Sequence, residues 1–206
     1  MTSDISLRER PKQQRSQKTF DTILHEAALL LEEVGWDGFN TNLLAERAGY
    51  RISAVYRYFP NKLSIVSTLA QQMVAEWDAW FDDFAETLMQ ERDFQKVWSQ
   101  YIDLYLDSLK QVPGGAAIRR AMHSEPSLYA LDQADNKRLI EKLAKALRQY
   151  EPSISTAKAR VLSRVLIESV VPLTDAVLES DAKTAKPLLE EVKRMHAVYM
   201  HSHGVR

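Results

Sequence analysis

Four cations stand without any acidic residue between positions 47 and 62: Arg47, Arg51, Arg57 and Lys62. A guanidinium group can donate paired hydrogen bonds to the O6 and N7 atoms of guanine or to phosphate oxygens, and an ammonium group can neutralise a phosphate. A second basic stretch, residues 8–18, holds five cations and one acid in a chain whose formal net charge is −1. Two basic segments in a nearly neutral chain favour a small nucleic-acid contact. A solvated tail and an exposed helix face are the alternative.

The residues around the first basic stretch predict two short helices joined by a tight turn. Thr41 is the expected N-cap of a helix over 42–48, and Gly49 ends that helix. The second short helix ends near Phe59, because Pro60 disfavours helical geometry at the residue before it. Such a pair, with a basic second helix, is typical of a helix-turn-helix.

Apolar residues recur at steps of three and four through the rest of the chain, which predicts an all-α fold of about nine helices. Ser16 and Gly35 are the expected N-cap and stop of the first helix, and Asn61 caps the long fourth helix. Pro172 lies inside the eighth helix and is expected to kink it. The predicted helices run over about 17–34, 42–48, 53–59, 62–90, 94–109, 116–123, 126–147, 155–179 and 183–201.

The composition excludes several classes of protein. The chain has no cysteine, so it forms no disulfide and no thiolate metal site. Its polar N-terminus lacks the apolar core of a signal peptide, and no run of about 18 apolar residues predicts a membrane span. A cytoplasmic protein without cofactor or metal is therefore expected.

A block of fixed residue types connects these features to a known family. Thr41-x-x-Leu44-Ala45-x-x-Ala48-Gly49 is followed by Val55-Tyr56-x-Tyr58-Phe59-x-x-Lys62, and this ungapped pattern resembles the signature of the TetR family of helix-turn-helix transcriptional regulators. The helix before it, with Ile23-Leu24, Ala27-Ala28, Leu31 and Gly35, matches the first helix of that family. The resemblance covers about residues 16–65. It divides the chain into a basic N-terminal arm (1–15), a DNA-binding domain of three helices (16–65) and a C-terminal effector-binding and dimerisation domain (66–206).

The resemblance also implies which side chains contact DNA. Thr41, Tyr56 and Lys62 would contact phosphates. The residues expected to face base edges are Asn42, Arg51, Ile52, Ser53, Ala54, Arg57 and Tyr58. The chemistry agrees, since Arg57 suits guanine, Asn42 suits adenine and Ala54 suits a thymine methyl group. For Tyr58 a packing role is the alternative, and for the arm from Arg8 to Lys18 a tail that does not touch DNA.

Two residues depart from the family's usual pattern. Arg51 stands where relatives often have serine, so the second short helix loses a usual cap. Ser53 stands where relatives often have glycine. The operator sequence therefore cannot be read by analogy with a relative.

The C-terminal part is expected to bind a small molecule and a second copy of the chain. In the family, the last two helices pair with their two-fold mates as a four-helix bundle, and an aromatic region encloses the effector. Such aromatic residues at helical spacing are also typical of a plain core. The candidate effector-binding residues are Trp77, Trp80, Phe81, Phe84, Trp98, Tyr101, Tyr105, Arg119, His123 and Asp175. The function implied is that of a repressor released from double-stranded operator DNA by a small, apolar or aromatic effector.

Two other interpretations compete with this one. The run Asp82-Asp83-Phe84-Ala85-Glu86 superficially resembles the magnesium-binding motif of helical prenyl-diphosphate enzymes. Those enzymes need a second, facing acidic cluster, which the sequence lacks, so no enzyme is predicted. His201 and His203 could chelate a metal weakly, but a frayed tail is the preferred interpretation. A binding module that kept the fold and lost DNA binding is the remaining alternative.

Overall fold

The computed structural model describes residues 5, 7, 8 and 11–206. Within them the chain forms nine α-helices and no strand, which confirms the predicted all-α class. The helices are α1 (Gln14–Gly38), α2 (Thr41–Arg47), α3 (Ile52–Tyr58), α4 (Lys62–Glu91), α5 (Phe94–Gln111), α6 (Gly115–Ser124), α7 (Pro126–Tyr150), α8 (Thr156–Glu179) and α9 (Ala182–Ser202).

The helices form two compact units. The N-terminal unit comprises Met1–Ala75 and Ser108–Asp132, and the C-terminal unit comprises Glu76–Asp107 and Gln133–Arg206. The division therefore falls inside α4, and α6 belongs to the unit that contains the helix-turn-helix. The boundary at residue 65 stays a prediction about sequence domains.

The ends of α1 differ from the expected ones. Gln13 is the N-cap, and Ser16 lies three residues later, where its hydroxyl donates to the Gln13 carbonyl over 2.8 Å. The prediction that Ser16 is the N-cap is therefore wrong. Gly35 adopts φ 67°, which interrupts the helical dihedral angles before a last turn that ends at Gly38. The expected break at Gly35 is confirmed, because glycine has no Cβ to oppose positive φ.

The N-terminal unit is built on the contact of α1 with α6. Ala27 and Leu31 lie on the fully buried face of α1. Gly114, at the start of α6, lies so close to α1 that an added Cβ would overlap the backbone carbonyl of Ala28. The Gly114 amide also donates to Glu32 over 3.3 Å. This contact therefore requires glycine at position 114.

The C-terminal unit has an extended apolar core. Trp98, Leu143 and Leu166 belong to it, from α5, α7 and α8 respectively. The helix α8 passes through Pro172 and continues to Glu179, so the proline does not end it. Within the described part of the chain, no helix is apolar over a length that would cross a membrane.

Candidate nucleic-acid interface

The geometry of α2 and α3 follows from a buried apolar contact and one side-chain cap. Leu44 of α2 and Val55 of α3 are fully buried. Asn40 is the N-cap of α2, since its carboxamide oxygen accepts from the Leu43 amide over 3.0 Å. The prediction that Thr41 is this cap is wrong by one residue. Thr41 is the first helical residue, and its hydroxyl hydrogen-bonds that of Tyr56 over 3.1 Å.

The start of α3 has the uncapped form that the sequence predicts. Arg51 is the N-cap and makes no side-chain cap hydrogen bond. Its backbone carbonyl instead accepts from the Ala54 amide over 2.8 Å. The Arg51 side chain is exposed, so its guanidinium stands beside the first turn of α3 and is not used to close that turn.

Most of the residues predicted to contact DNA lie on one accessible surface. Asn42, Arg51, Ser53, Tyr56 and Arg57 are exposed, whereas Thr41, Ile52 and Ala54 are half-buried. They come from the first turn of α2 and from α3. The tight turn of the helix-turn-helix thus brings donors, cations and small apolar groups together, as reading a DNA groove requires.

Tyr58 does not belong to that surface. Its side chain is only 3% exposed, and its ring packs edge-on against Phe20 at 5.5 Å. Its hydroxyl donates to the Ser16 carbonyl over 3.3 Å. We therefore correct the expectation that Tyr58 faces base edges: it packs α3 against α1.

Two cations of the first basic stretch bind within the protein. The Lys62 ammonium donates to the Trp36 carbonyl over 3.0 Å and lies 4.2 Å from the centre of its ring. Arg47 pairs with Glu26 and Glu33, and these hydrogen bonds, that to Glu26 first, raise its pKa. Arg47 therefore fixes α2 to α1.

Arg8, in the N-terminal arm, contacts the end of α3. Its amide donates to the Tyr58 carbonyl over 2.8 Å, and its guanidinium donates to the Tyr56 carbonyl over 3.3 Å. No local sequence signal predicts this contact, because 48 or more positions separate the partners. Arg10, in the arm predicted from Arg8 to Lys18, lies outside the described residues.

An open groove of about 690 Å³ lies between the arm, the start of α1 and α3. Its lining includes four cations, Lys12, Arg15, Arg51 and Arg57. The other lining residues are Gln13, Ser16, Thr19, Tyr50, Ser53, Ala54 and Tyr58. Among these described lining residues none is acidic, so the groove favours an anion.

Of the aromatic residues predicted to bind an effector, Phe81, Phe84, Trp98 and Tyr101 form a packed cluster in the C-terminal unit, and Trp77 and Tyr105 form a further ring pair. The ring centroids of Phe81 and Phe84 lie 5.5 Å from that of Tyr101, and those of Trp77 and Tyr105 lie 4.9 Å apart. The buried members are Trp77, Phe81, Phe84, Trp98, Tyr101 and Tyr105, and Trp80 is half-buried. Burial raises the pKa of Tyr101, so its hydroxyl stays protonated.

The three polar candidates are divided between the units. Arg119 forms a buried ion pair with Asp132 in the N-terminal unit, where His123 Nε2 lies 3.8 Å from Asp132 Oδ2. Asp175 lies half-buried on α8, in the unit of the aromatic cluster. An effector role for these residues stays a prediction.

The acidic run in α4 is engaged with α7. Asp82 is exposed and pairs with Lys142 at 2.7 Å, and Lys142 also pairs with Asp78 at 2.9 Å. Within the described residues, no three histidine, aspartate or glutamate side chains meet as a metal site would require.

A buried histidine joins three helices of the C-terminal unit. Trp98 Nε1 donates to His196 Nδ1 over 3.0 Å, and His196 Nε2 lies 2.9 Å from the Ser169 hydroxyl. Because Nδ1 accepts a hydrogen bond, the ring is neutral with its proton on Nε2. Burial lowers the pKa of His196 from 6.5 to about 4.

We expect this histidine to make folding sensitive to mild acid. The unfolded chain binds a proton near pH 6.5, whereas the folded chain binds it only near pH 4, so the free energy of unfolding falls as pH decreases through this window, by about 3 kcal/mol. Urea denaturation at several pH values measures it. His196→Asn keeps an acceptor for Trp98 without titrating and should flatten the dependence. Equal pH profiles for the two proteins would refute the assignment.

Comparison with known proteins finds a family model that matches each of the two parts of the chain. A family model described as "Bacterial regulatory proteins, tetR family" matches residues 23–69, and one described as "Tetracyclin repressor-like, C-terminal domain" matches residues 97–200, about half of the chain. The class A tetracycline repressor from transposon 1721 of Escherichia coli is 45% identical over 56 residues. That match spans 27% of this chain and 26% of the repressor.

Solved structures of similar fold extend over most of the chain. A TetR-family transcriptional regulator from Streptomyces coelicolor superposes with a TM-score of 0.63 at 24% identity and covers 89% of this chain and 98% of its own. The SmeT–triclosan complex superposes with a TM-score of 0.66 at 20% identity, over 89% of this chain and 90% of its own. At these identities the superpositions establish the fold. Together with the two family models they show that the chain belongs to the TetR family of bacterial regulatory proteins.

Proposed function

We propose that the chain is a ligand-responsive transcriptional repressor that binds operator DNA as a homodimer. The observation that carries this proposal is the exposed surface of α2 and α3, where Asn42, Arg51 and Arg57 stand on a rigid, buried support. Two short helices in this arrangement fit the major groove, which is wide enough for one helix.

The side chains divide into positioning and base-reading groups. Thr41 and Tyr56, joined by their hydroxyls, are suited to a phosphate at the groove edge. Arg57 is suited to guanine and Asn42 to adenine, while the half-buried Ala54 can meet a thymine methyl group. Lys62 donates one of its three ammonium hydrogens to the Trp36 carbonyl, which leaves two for a phosphate.

We expect Arg57→Ala to weaken binding to a selected operator by roughly 1–3 kcal/mol and to relax the preference at one base pair per half-site. Fluorescence anisotropy on operator and random duplexes measures both effects. Arg120→Ala, which removes an exposed arginine of α6 in the same unit, is the control. Equal losses on operator and random DNA would show that Arg57 does not read a base.

The proposed dimer is supported by an apolar face on the last two helices. Val161 and Val165 of α8 are 55% and 40% exposed, and Met195 and Val198 of α9 are 46% and 63% exposed. Each pair is spaced to share one side of its helix. Large exposed apolar residues clustered on neighbouring elements are typical of a protein interface, and a two-fold dimer would cover them with their own copies.

The effector is proposed to insert at the aromatic cluster and to act through α4. This helix begins at Lys62 in the N-terminal unit and reaches Phe81 and Phe84 in the C-terminal unit. SmeT, of similar fold, is known as a complex with triclosan, which supports a small aromatic effector class here. A rigid element with two positions can couple two sites.

Titration with triclosan as a first probe tests this coupling. Tryptophan fluorescence reports binding, since Trp98 lies in the cluster and Trp77 packs against Tyr105 in the same unit. Operator duplex should weaken probe binding by the same factor by which the probe weakens operator binding, about 5- to 150-fold. Equal probe affinities with and without operator would contradict release through α4 by this ligand.

A further inference from the structure

Arg8, in the N-terminal arm, contacts α3, the second helix of the helix-turn-helix. Its amide and its guanidinium donate to the carbonyls of Tyr58 and Tyr56, in the last turn of α3. Those carbonyls have no partner further along a seven-residue helix, and a cation there is favoured by the helix dipole. Arg8 thus stabilises the end of α3.

The groove of about 690 Å³ is lined by the arm and the start of α1 on one side and by α3 on the other. Lys12 and Arg15 approach from the side of the arm and of α1, and Arg51 and Arg57 from α3. Lys12, Arg15, Arg51 and Arg57 are all exposed. Ser16 and Thr19 add hydroxyl groups to the lining.

We propose that this groove binds the DNA backbone beside the exposed surface of α2 and α3. Lys12 and Arg15 bind phosphates there, and Arg8 positions the arm. The inference rests on the proposed DNA binding and adds phosphate contacts to it. A phosphate suits Lys12 and Arg15 better than a base does, because these two side chains offer charge without a pocket shaped for one base edge. The open form of the groove suits a strand that passes through it.

The salt dependence of binding separates phosphate contacts from other effects. Each phosphate contact adds about 0.9 to the slope of log affinity against log salt concentration. Lys12→Ala combined with Arg15→Ala should therefore shallow the slope by about 2 and weaken operator and random duplexes alike. Lys137→Ala with Lys145→Ala removes two exposed lysines of α7 in the C-terminal unit and should leave the slope unchanged.

Arg8 requires a different measurement, because it acts through α3. Arg8→Ala should weaken operator binding about tenfold and accelerate amide exchange at Phe59, whose amide closes α3 onto Val55. Arg8→Lys keeps the charge and the backbone donor but lacks the guanidinium group, so exchange at Phe59 should stay fast and operator affinity should stay low. Full restoration of both slow exchange and affinity by lysine would show that Arg8 contributes charge alone and would overturn its positioning role.

The experiment is anisotropy of full-length wild type and variants with fluorescent operator and random duplexes between about 50 and 200 mM salt. In one outcome, the wild type binds the operator strongly while the Lys12/Arg15 double variant shows the same slope of log affinity against log salt concentration. That result would overturn this inference and leave the proposed function standing. A wild type that binds no duplex would overturn both. A slope shallower by about 2 in the arm variant alone would establish the groove as a backbone site.

Discussion

Replacing Val161 and Val165 together by aspartate is expected to separate the protein into monomers and to abolish tight operator binding. Both valines are exposed apolar residues of α8, and Met195 and Val198 are exposed apolar residues of α9 that the proposed interface also covers. A two-fold axis would bring four new carboxylates into one interface, where unpaired charge strongly opposes association.

The expected loss of operator affinity is about 1000-fold or more, down to the level of non-specific binding, because a monomer engages a single half-site. Sedimentation equilibrium at micromolar concentration gives the oligomeric state, and anisotropy gives the affinity. Val34→Asp adds a carboxylate at an exposed valine of α1 and should leave the dimer intact. A monomeric wild type, or a double variant that remains dimeric, would contradict the proposed interface.

Gly114→Ala is expected to destabilise the N-terminal unit by about 3 kcal/mol. Two costs add: alanine at φ 68° is strained by about 1–2 kcal/mol, and its Cβ would lie 2.9 Å from the carbonyl carbon of Ala28 and nearer still to the oxygen. Backbone atoms cannot move aside without opening the contact of α1 with α6, and overpacking of this kind costs about 1–3 kcal/mol.

A second glycine separates these two costs. Gly49 has a similar φ of 72°, but an added Cβ there meets nothing within 4 Å, so Gly49→Ala should lose only the strain of about 1–2 kcal/mol. Urea denaturation of full-length proteins, with a probe in the N-terminal unit such as Trp36 fluorescence, measures both. Equal losses in the free energy of unfolding for the two variants would mean that the close approach of Gly114 to Ala28 does not add to the cost of the substitution.

The elements that could be predicted from the sequence depend on local interactions. Helical periodicity gives the number and type of the helices, Asn61 caps α4 by accepting from the Ser64 amide over 2.8 Å as expected, and Gly35 interrupts α1. Each feature needs only residues within one or two turns. The predicted caps Ser16 and Thr41 are displaced because several polar residues compete at those helix starts, and backbone geometry selects among them.

The features that could not be predicted from the sequence depend on residues far apart in the chain. Tyr58 looks like a base-reading residue of α3 until Phe20 and Ser16 of α1 are packed against it. Arg47 counts toward a basic stretch that favours nucleic acid until Glu26 and Glu33 are folded beside it. Charge and spacing alone cannot reveal such partners, because nothing local specifies which acidic or aromatic residue will lie opposite.

The most direct test of the central claim, sequence-specific DNA binding by a two-fold dimer, is selection of bound duplexes from a random pool by the full-length protein. We expect enrichment of one two-fold symmetric sequence whose half-sites are centred roughly 34–36 Å apart along the DNA, or a multiple of that spacing. The absence of any enriched sequence, or enrichment of a single unpaired site, would contradict it.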